Sequence, residues 1–142
     1  MGDEELIDKL KGLGHRLNIV LSNSVVEVDD PNAKPTWKKV KGKTVIVKKK
    51  MKVDGNAGSR AIMKKSADVL WNRIMPSNHI GHNKFLVYVD RNSKPVAVLL
   101  GSTNWTKTGL CAQTNNTIVI DDAKLATRYL AYWKQLAADT KN

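Results

Sequence analysis

An α/β domain is the fold class this sequence predicts, and three observations predict it. Apolar stripes at helical spacing alternate along the chain with short apolar runs of strand length. Two of those runs, one leading into Val89 and the other Val96 to Leu100, flank Asp90-Arg91-Asn92-Ser93-Lys94-Pro95, a turn by composition. The chain has 142 residues and 42% hydrophobic content, enough for one domain with a buried core.

The elements follow in order. Residues 3–13 read as a helix: Asp3 caps it, acids occupy its first turn, Leu6, Leu10 and Leu13 form a stripe, and Gly12 and Gly14 end it. Leu17 to Leu21 is a short buried strand. Ser22 to Lys34 is turn-rich, with room for a short strand at Val25 to Val28, and Val45-Ile46-Val47 is a further strand core. Gly55 to Gly58 is a turn. A helix is predicted over Ser59 to Ile74, with Met63, Ala67, Leu70 and Ile74 on one stripe, Trp71 as a packing residue and Pro76 as the stop. After the two strands, a short helix is expected over Trp105 to Ala112, its first amides turned toward an anion. Thr117 to Ile120 is expected as a buried strand. Asp121-Asp122 then caps a last helix, from Ala123 to about Ala138, with Leu125, Tyr129, Tyr132, Trp133 and Leu136 on its apolar side.

Charge narrows the function. The net charge is +11 and the pI near 9.8, which favours a polyanionic partner: nucleic acid or an anionic membrane surface. Lys34 to Val53 holds nine lysines and no acid, with Trp37 among them. Lys48 and Lys50 flank its strand core as candidate phosphate-backbone contacts, and Trp37 is available for stacking on a base. The same tract would attract lipid headgroups, and a plain edge ribbon protected by charge accounts for it as well. The single cysteine, Cys111, excludes an intrachain disulfide framework. The start of the chain is acidic with no apolar run behind it, so no secretory signal or membrane span is expected, and the cytoplasm is the default location.

The chemistry gathers between His79 and Asn116. His82 and Lys84 are two apart, so on a strand they point the same way. If the two runs pair as a hairpin, Gly101-Ser102-Thr103-Asn104 returns to the end that carries His82. An imidazole can attack phosphorus as a nucleophile. A lysine ammonium and an asparagine amide can donate to non-bridging oxygens, and a serine hydroxyl can support either. No carboxylate cluster accompanies them, so neither metal nor cofactor is expected. His79 and His82 lie three apart, but Gly81 and the strand that follows argue against a zinc pair on a helix.

The run His82-x-Lys84 followed by Gly101-Ser102-x-Asn104 resembles the phospholipase D superfamily motif H-x-K-x4-D-x6-G-S-x-N. The likeness continues through Trp105-Thr106-Lys107 to Asn116-Thr117-Ile118-Val119-Ile120 and covers about forty residues. The chain departs from the motif in three places. Val89 stands where the family has Asp, and the gap from Lys84 to Gly101 is five residues longer. Asn115 stands where small nuclease-like members carry Glu.

The resemblance implies a mixed β-sheet flanked by helices and a metal-independent phosphodiesterase. His82 would be the nucleophile that forms a phosphohistidine, Lys84 and Asn104 would hold the phosphoryl oxygens, and Ser102 would be a supporting donor. Gly101 and Trp105 would adjoin the substrate, with Trp105 either beneath the site or in its wall, and Asn115 would orient the histidine. Family members join two such motifs at one site. A chain with one motif is therefore expected to form a homodimer with its two His82 residues facing, or to be part of a longer protein holding the second motif. Nucleic acid is the favoured substrate. Phospholipid hydrolysis or transfer is the first alternative, and a nucleic-acid-binding module with a weakened site is the second.

Overall fold

The structure is a computed structural model, and it describes residues 3–76 and 79–139. Helix α1, Glu4–Leu13, starts at Asp3, whose carboxylate accepts from the Leu6 amide at 2.8 Å, and ends at Gly14, where φ is +53°. Strand β1, Asn18–Ser22, pairs in parallel with β6, Val69–Arg73. Helix α2, Ala57–Ser66, is the crossover between them and packs beside α1. Ile7, Leu10, Leu17, Ile19 and Met63 form the core there, and Leu70, opposite Ile19 in register, joins it.

The chain between β1 and α2 forms a ribbon. Strand β2, Val25–Asp29, pairs antiparallel with β5, Lys50–Asp54, and strand β3, Thr36–Val40, pairs antiparallel with β4, Lys43–Val47. The β3–β4 hairpin is nested within the β2–β5 pair, so thirty residues run out and back as a two-stranded arm. Lys41 and Gly42 turn its tip with positive φ.

Strand β7, Phe85–Val89, pairs antiparallel with β8, Pro95–Gly101, and β8 pairs with β9, Thr117–Ile120. Helix α3, Lys107–Cys111, lies between β8 and β9. The β7–β8 turn is closed by Asp90, whose carboxylate accepts from the Asn92 and Lys94 amides at 2.9 and 2.8 Å. That places Asp90 in the turn, and the longer gap is absorbed with Phe85 still opposite Leu100. Helix α4, Ala123–Ala138, is capped by Asp122 and packs chiefly on β8. Its Tyr129 and Tyr132 rings meet Phe85, and Trp133 meets Trp71 edge-on at 5.1 Å. Leu70 and Trp71 point to opposite faces of β6, so helices cover the strands from both sides. The protein is a mixed α/β fold, and among the described residues parallel and antiparallel pairing is divided among four small sheets.

Three expectations are corrected. The helix over Ser59 to Ile74 ends at Ser66, and Val69–Arg73 is β6. The stripe of Met63, Ala67 and Leu70 continued by coincidence, because a strand in parallel register with β1 buries Leu70 on the same side. Thr117–Ile120 is an exposed edge strand: Ile118 and Val119, on opposite faces, are 54% and 61% exposed, since α4 packs chiefly on β8 and leaves β9 little covered. The expected short helix is reduced to Lys107–Cys111.

Candidate active site

A cleft of about 380 Å³ separates β1 from the segment that enters β7. One wall runs along β1 and through Ser22, Asn23 and Ser24. The facing wall is Ile80 to Leu86, and Asn104, Trp105 and Thr106 complete the mouth. His82, Lys84 and Asn104, predicted from distant parts of the sequence, therefore share one cavity, and Trp105 lines it with them. His82 is exposed, whereas Lys84 and Asn104 are half-buried.

His82 and Lys84 do not ride a strand as expected. The ladder begins at Phe85, because its partner strand β8 has by Gly101 turned to pair with β9 alone. The segment 80–84 is held by other means. Gly81 sits so close to the end of β1 that an added Cβ would lie 2.7 Å from the Ser22 Cβ. Asn83 accepts from the Tyr132 hydroxyl at 3.2 Å, which ties the segment to α4. Lys84 Nζ donates to the His82 carbonyl at 2.8 Å, bringing the ammonium back toward the histidine. Burial pushes the Lys84 ammonium below the ordinary lysine pKa. It is a partly desolvated cation in a cleft, suited to an anion.

Asn104 is placed by a close approach of backbones. A Cβ on Gly109 would lie 2.2 Å from the Asn104 carbonyl oxygen, so only glycine lets α3 press against it. Thr106 caps α3, its hydroxyl accepting from the Gly109 amide at 3.1 Å. That amide, the third of the helix, is taken up by the cap.

Other predicted residues stand off the cleft. Ser102 is tied to Asn116: its hydroxyl accepts from the Asn116 amide at 3.1 Å and donates to Asn116 Oδ1 at 3.2 Å. It fastens β8 to β9 at the edge of the site. Gly101 serves the same junction, since a Cβ there would lie 2.2 Å from the Asn116 carbonyl oxygen. Asn115 does not reach for the histidine; its amide donates to the Gly109 carbonyl at 2.8 Å and to Gln113 at 3.2 Å. Lacking the charge of a carboxylate, it settles on the nearest carbonyls. Lys50 is ion-paired with Asp29, which holds the Asp29 carboxyl below its ordinary value, and Lys48 is exposed on the arm.

Sequence reasoning missed a polar hub on the opposite wall. Arg60 donates to the Leu21 carbonyl at 3.1 Å, the Ser22 carbonyl at 3.2 Å, Asn72 at 2.6 Å and Asp54 at 3.1 Å. Asp54 also accepts from the Ser24 and Asn56 amides, each at 2.9 Å. The hub joins the base of the arm to the cleft wall. An arginine followed by Asn72 on a strand was its only signal, and the helix expected there concealed it.

A family model described as cardiolipin synthase, PLD-like domain, matches residues 4–137. The chain belongs to the phospholipase D-like family. The match spans nearly all of the described residues, including the arm, and is far wider than the forty-residue motif. It puts the chain in a superfamily of phosphodiesterase-type enzymes. No curated protein and no solved structure matches it. Among the described residues, no helix is long and apolar enough to cross a membrane.

Proposed function

We propose that this phospholipase D-like chain is a metal-independent phosphodiesterase that cleaves nucleic acid through His82. The carrying observation is that His82, Lys84 and Asn104 line one cleft in a chain of this family. A ring nitrogen of His82 attacks phosphorus and forms a P–N bond as the P–O bond to the leaving oxygen breaks. A second histidine, His82 of another copy or its counterpart in a second motif, gives that oxygen a proton. It then takes a proton from water, which attacks phosphorus and frees His82. Lys84 and Asn104 donate to the non-bridging oxygens in both steps. The basic composition favours nucleic acid as the phosphodiester.

One observation favours a second reading, phospholipid hydrolysis or transfer. The inner wall of the cleft is apolar, with Leu10, Leu17, Ile19 and Leu136 behind the polar mouth, a lining suited to an acyl chain. Cleavage of supercoiled plasmid in excess chelator, wild type against His82→Ala, is the test. Cutting by the wild type alone supports the proposal. If neither cuts and wild type hydrolyses phosphatidylglycerol in vesicles, the lipid reading replaces it. If neither substrate turns over but DNA still binds, the site is a binding module.

A further inference from the structure

We infer that the arm Val25–Asp54 is a docking arm for double-stranded nucleic acid. The inference deepens the proposed function and rests on it for the partner class, but it concerns binding rather than turnover. The arm's charge is concentrated at its outer end. Between Lys34 and Lys49 lie seven lysines and no acid, and all seven are exposed. None of them is in an ion pair among the described residues; the ion pairs of the arm, Asp29–Lys50 and Asp54–Arg60, lie in its stem and at its base.

Shape selects among polyanions. The major groove of B-form DNA is about 12 Å wide and admits a two-stranded β-ribbon. Each strand pair of the arm has five residues per strand, about 17 Å, so two in series span about one helical turn. Residues directly opposite share a face. Trp37 with Ile46 and Lys39 with Thr44 share one face; Lys38 with Val45 and Lys43 with Val40 share the other. Lysines thus stand on both faces, as a ribbon between two phosphate rows requires. An element lying on a membrane separates its basic and apolar faces, and the lysine-bearing outer pair β3–β4 does not: Lys39 shares a face with Trp37 and Ile46, and Lys38 and Lys43 share the other with Val45 and Val40. The base is fixed through Arg60 to the wall of the cleft that His82 lines, so an engaged duplex would be tethered to that cleft.

The test is fluorescence anisotropy of a labelled 20-base-pair duplex in a salt series, with every chain carrying His82→Ala so that binding is read without cleavage. One variant replaces Lys38, Lys39, Lys41 and Lys43 by Gln. A control replaces Lys9, Lys64, Lys124 and Lys134, exposed lysines of the body, and removes the same charge. With seven phosphate contacts, affinity falls on the order of 10³-fold or more between 50 and 200 mM salt, and with three contacts about 40-fold. The arm variant should therefore lose about 3.6 from the log–log slope, and the control less than about 1. Equal slopes for the two variants would overturn the inference. So would arm-dependent binding to phosphatidylserine vesicles with duplex binding unchanged. Lysine-dependent duplex binding without cleavage by the wild type would uphold the arm and defeat the nuclease reading. Cleavage without arm dependence would do the reverse.

Discussion

Strand β1 and the arm that follows it both carry apolar residues at strand spacing, and those residues end in opposite environments. Asn18-Ile19-Val20-Leu21-Ser22 buries Ile19 in one cluster with Leu10 of α1 and Met63 of α2, and Leu21 is buried as well. In the arm, Val26, Val28 and Met51 share one face of the stem, yet each remains 39% exposed. Trp37 and Ile46, near the tip, are 71% and 58% exposed. Apolar content does not decide burial; a covering layer does, and β1 has helices over it. A two-stranded ribbon without such a layer is marginal alone. The arm persists because its cross-strand pairs and the Arg60–Asp54 anchor hold it, and the fold's core does not depend on it. The body holds the cleft, whereas the arm presents charge.

The largest effect should separate chemistry from both regions. His82→Ala should lower phosphodiester turnover at least about 10³-fold, roughly 4 kcal/mol of barrier, with the thermal midpoint unchanged because the ring is exposed. Retained turnover would remove His82 from the nucleophile's role. Packing comes next. Met63 is 0% exposed, and Met63→Ala should cost about 2–5 kcal/mol in urea unfolding. Ile46→Ala in the arm should change stability by no more than about 0.5 kcal/mol. Similar losses at both sites would show that the arm is packed after all.

A smaller effect tests how the body holds the site. Gly109→Ala sets a methyl against the Asn104 carbonyl, so one backbone must move, at roughly 1–3 kcal/mol. Because Asn104 faces the phosphoryl group in the proposed reaction, kcat should fall more than KM rises. A change in KM alone would mean that Asn104 only binds.

The contrast also explains what the sequence disclosed. The last helix was legible because Tyr129, Tyr132, Trp133 and Leu136 repeat at one period and Asp122 caps it. The β7–β8 hairpin was legible because its turn chemistry is local. The convergence of His82, Lys84 and Asn104 could be read because a hairpin fixes which ends meet. Strand β6 was not legible, since Leu70 satisfies a helical stripe as well as a strand paired with β1, and only the distant partner chooses. The pairings of Ser102 with Asn116 and of Asn115 with Gly109 were hidden for a related reason: side-chain amides and hydroxyls take the nearest backbone partner, which a motif does not specify. The arm was visible as charge and in two of its strands, at Val25 to Val28 and Val45 to Val47, but β3 and β5 were not read, because lysine-rich strands lack the alternation that marks a half-buried sheet.

The smallest effect tests the joint between the two regions. Burial alone would raise the Asp54 carboxyl pKa, but the Ser24 and Asn56 amides and the Arg60 guanidinium outweigh it and hold it below the ordinary aspartate value. The folded state then binds a proton less readily than the unfolded chain, so stability rises with pH across this window. The contribution is complete above the ordinary aspartate value, about 3.9, and is lost as pH falls through the lower, folded value. The pair is partly exposed, so its size is on the order of 1 kcal/mol or less. Asp54→Asn keeps an oxygen for the two amides and removes the charge. It should flatten the acid limb of a urea-stability profile and speed amide exchange at Ser24 and Asn56. Because the anchor holds the arm to the cleft wall, the same variant should weaken duplex binding by less than the four-lysine variant does. An acid limb identical to wild type would mean that the arm is held by its strand pairing alone and that Arg60 serves the cleft wall without it.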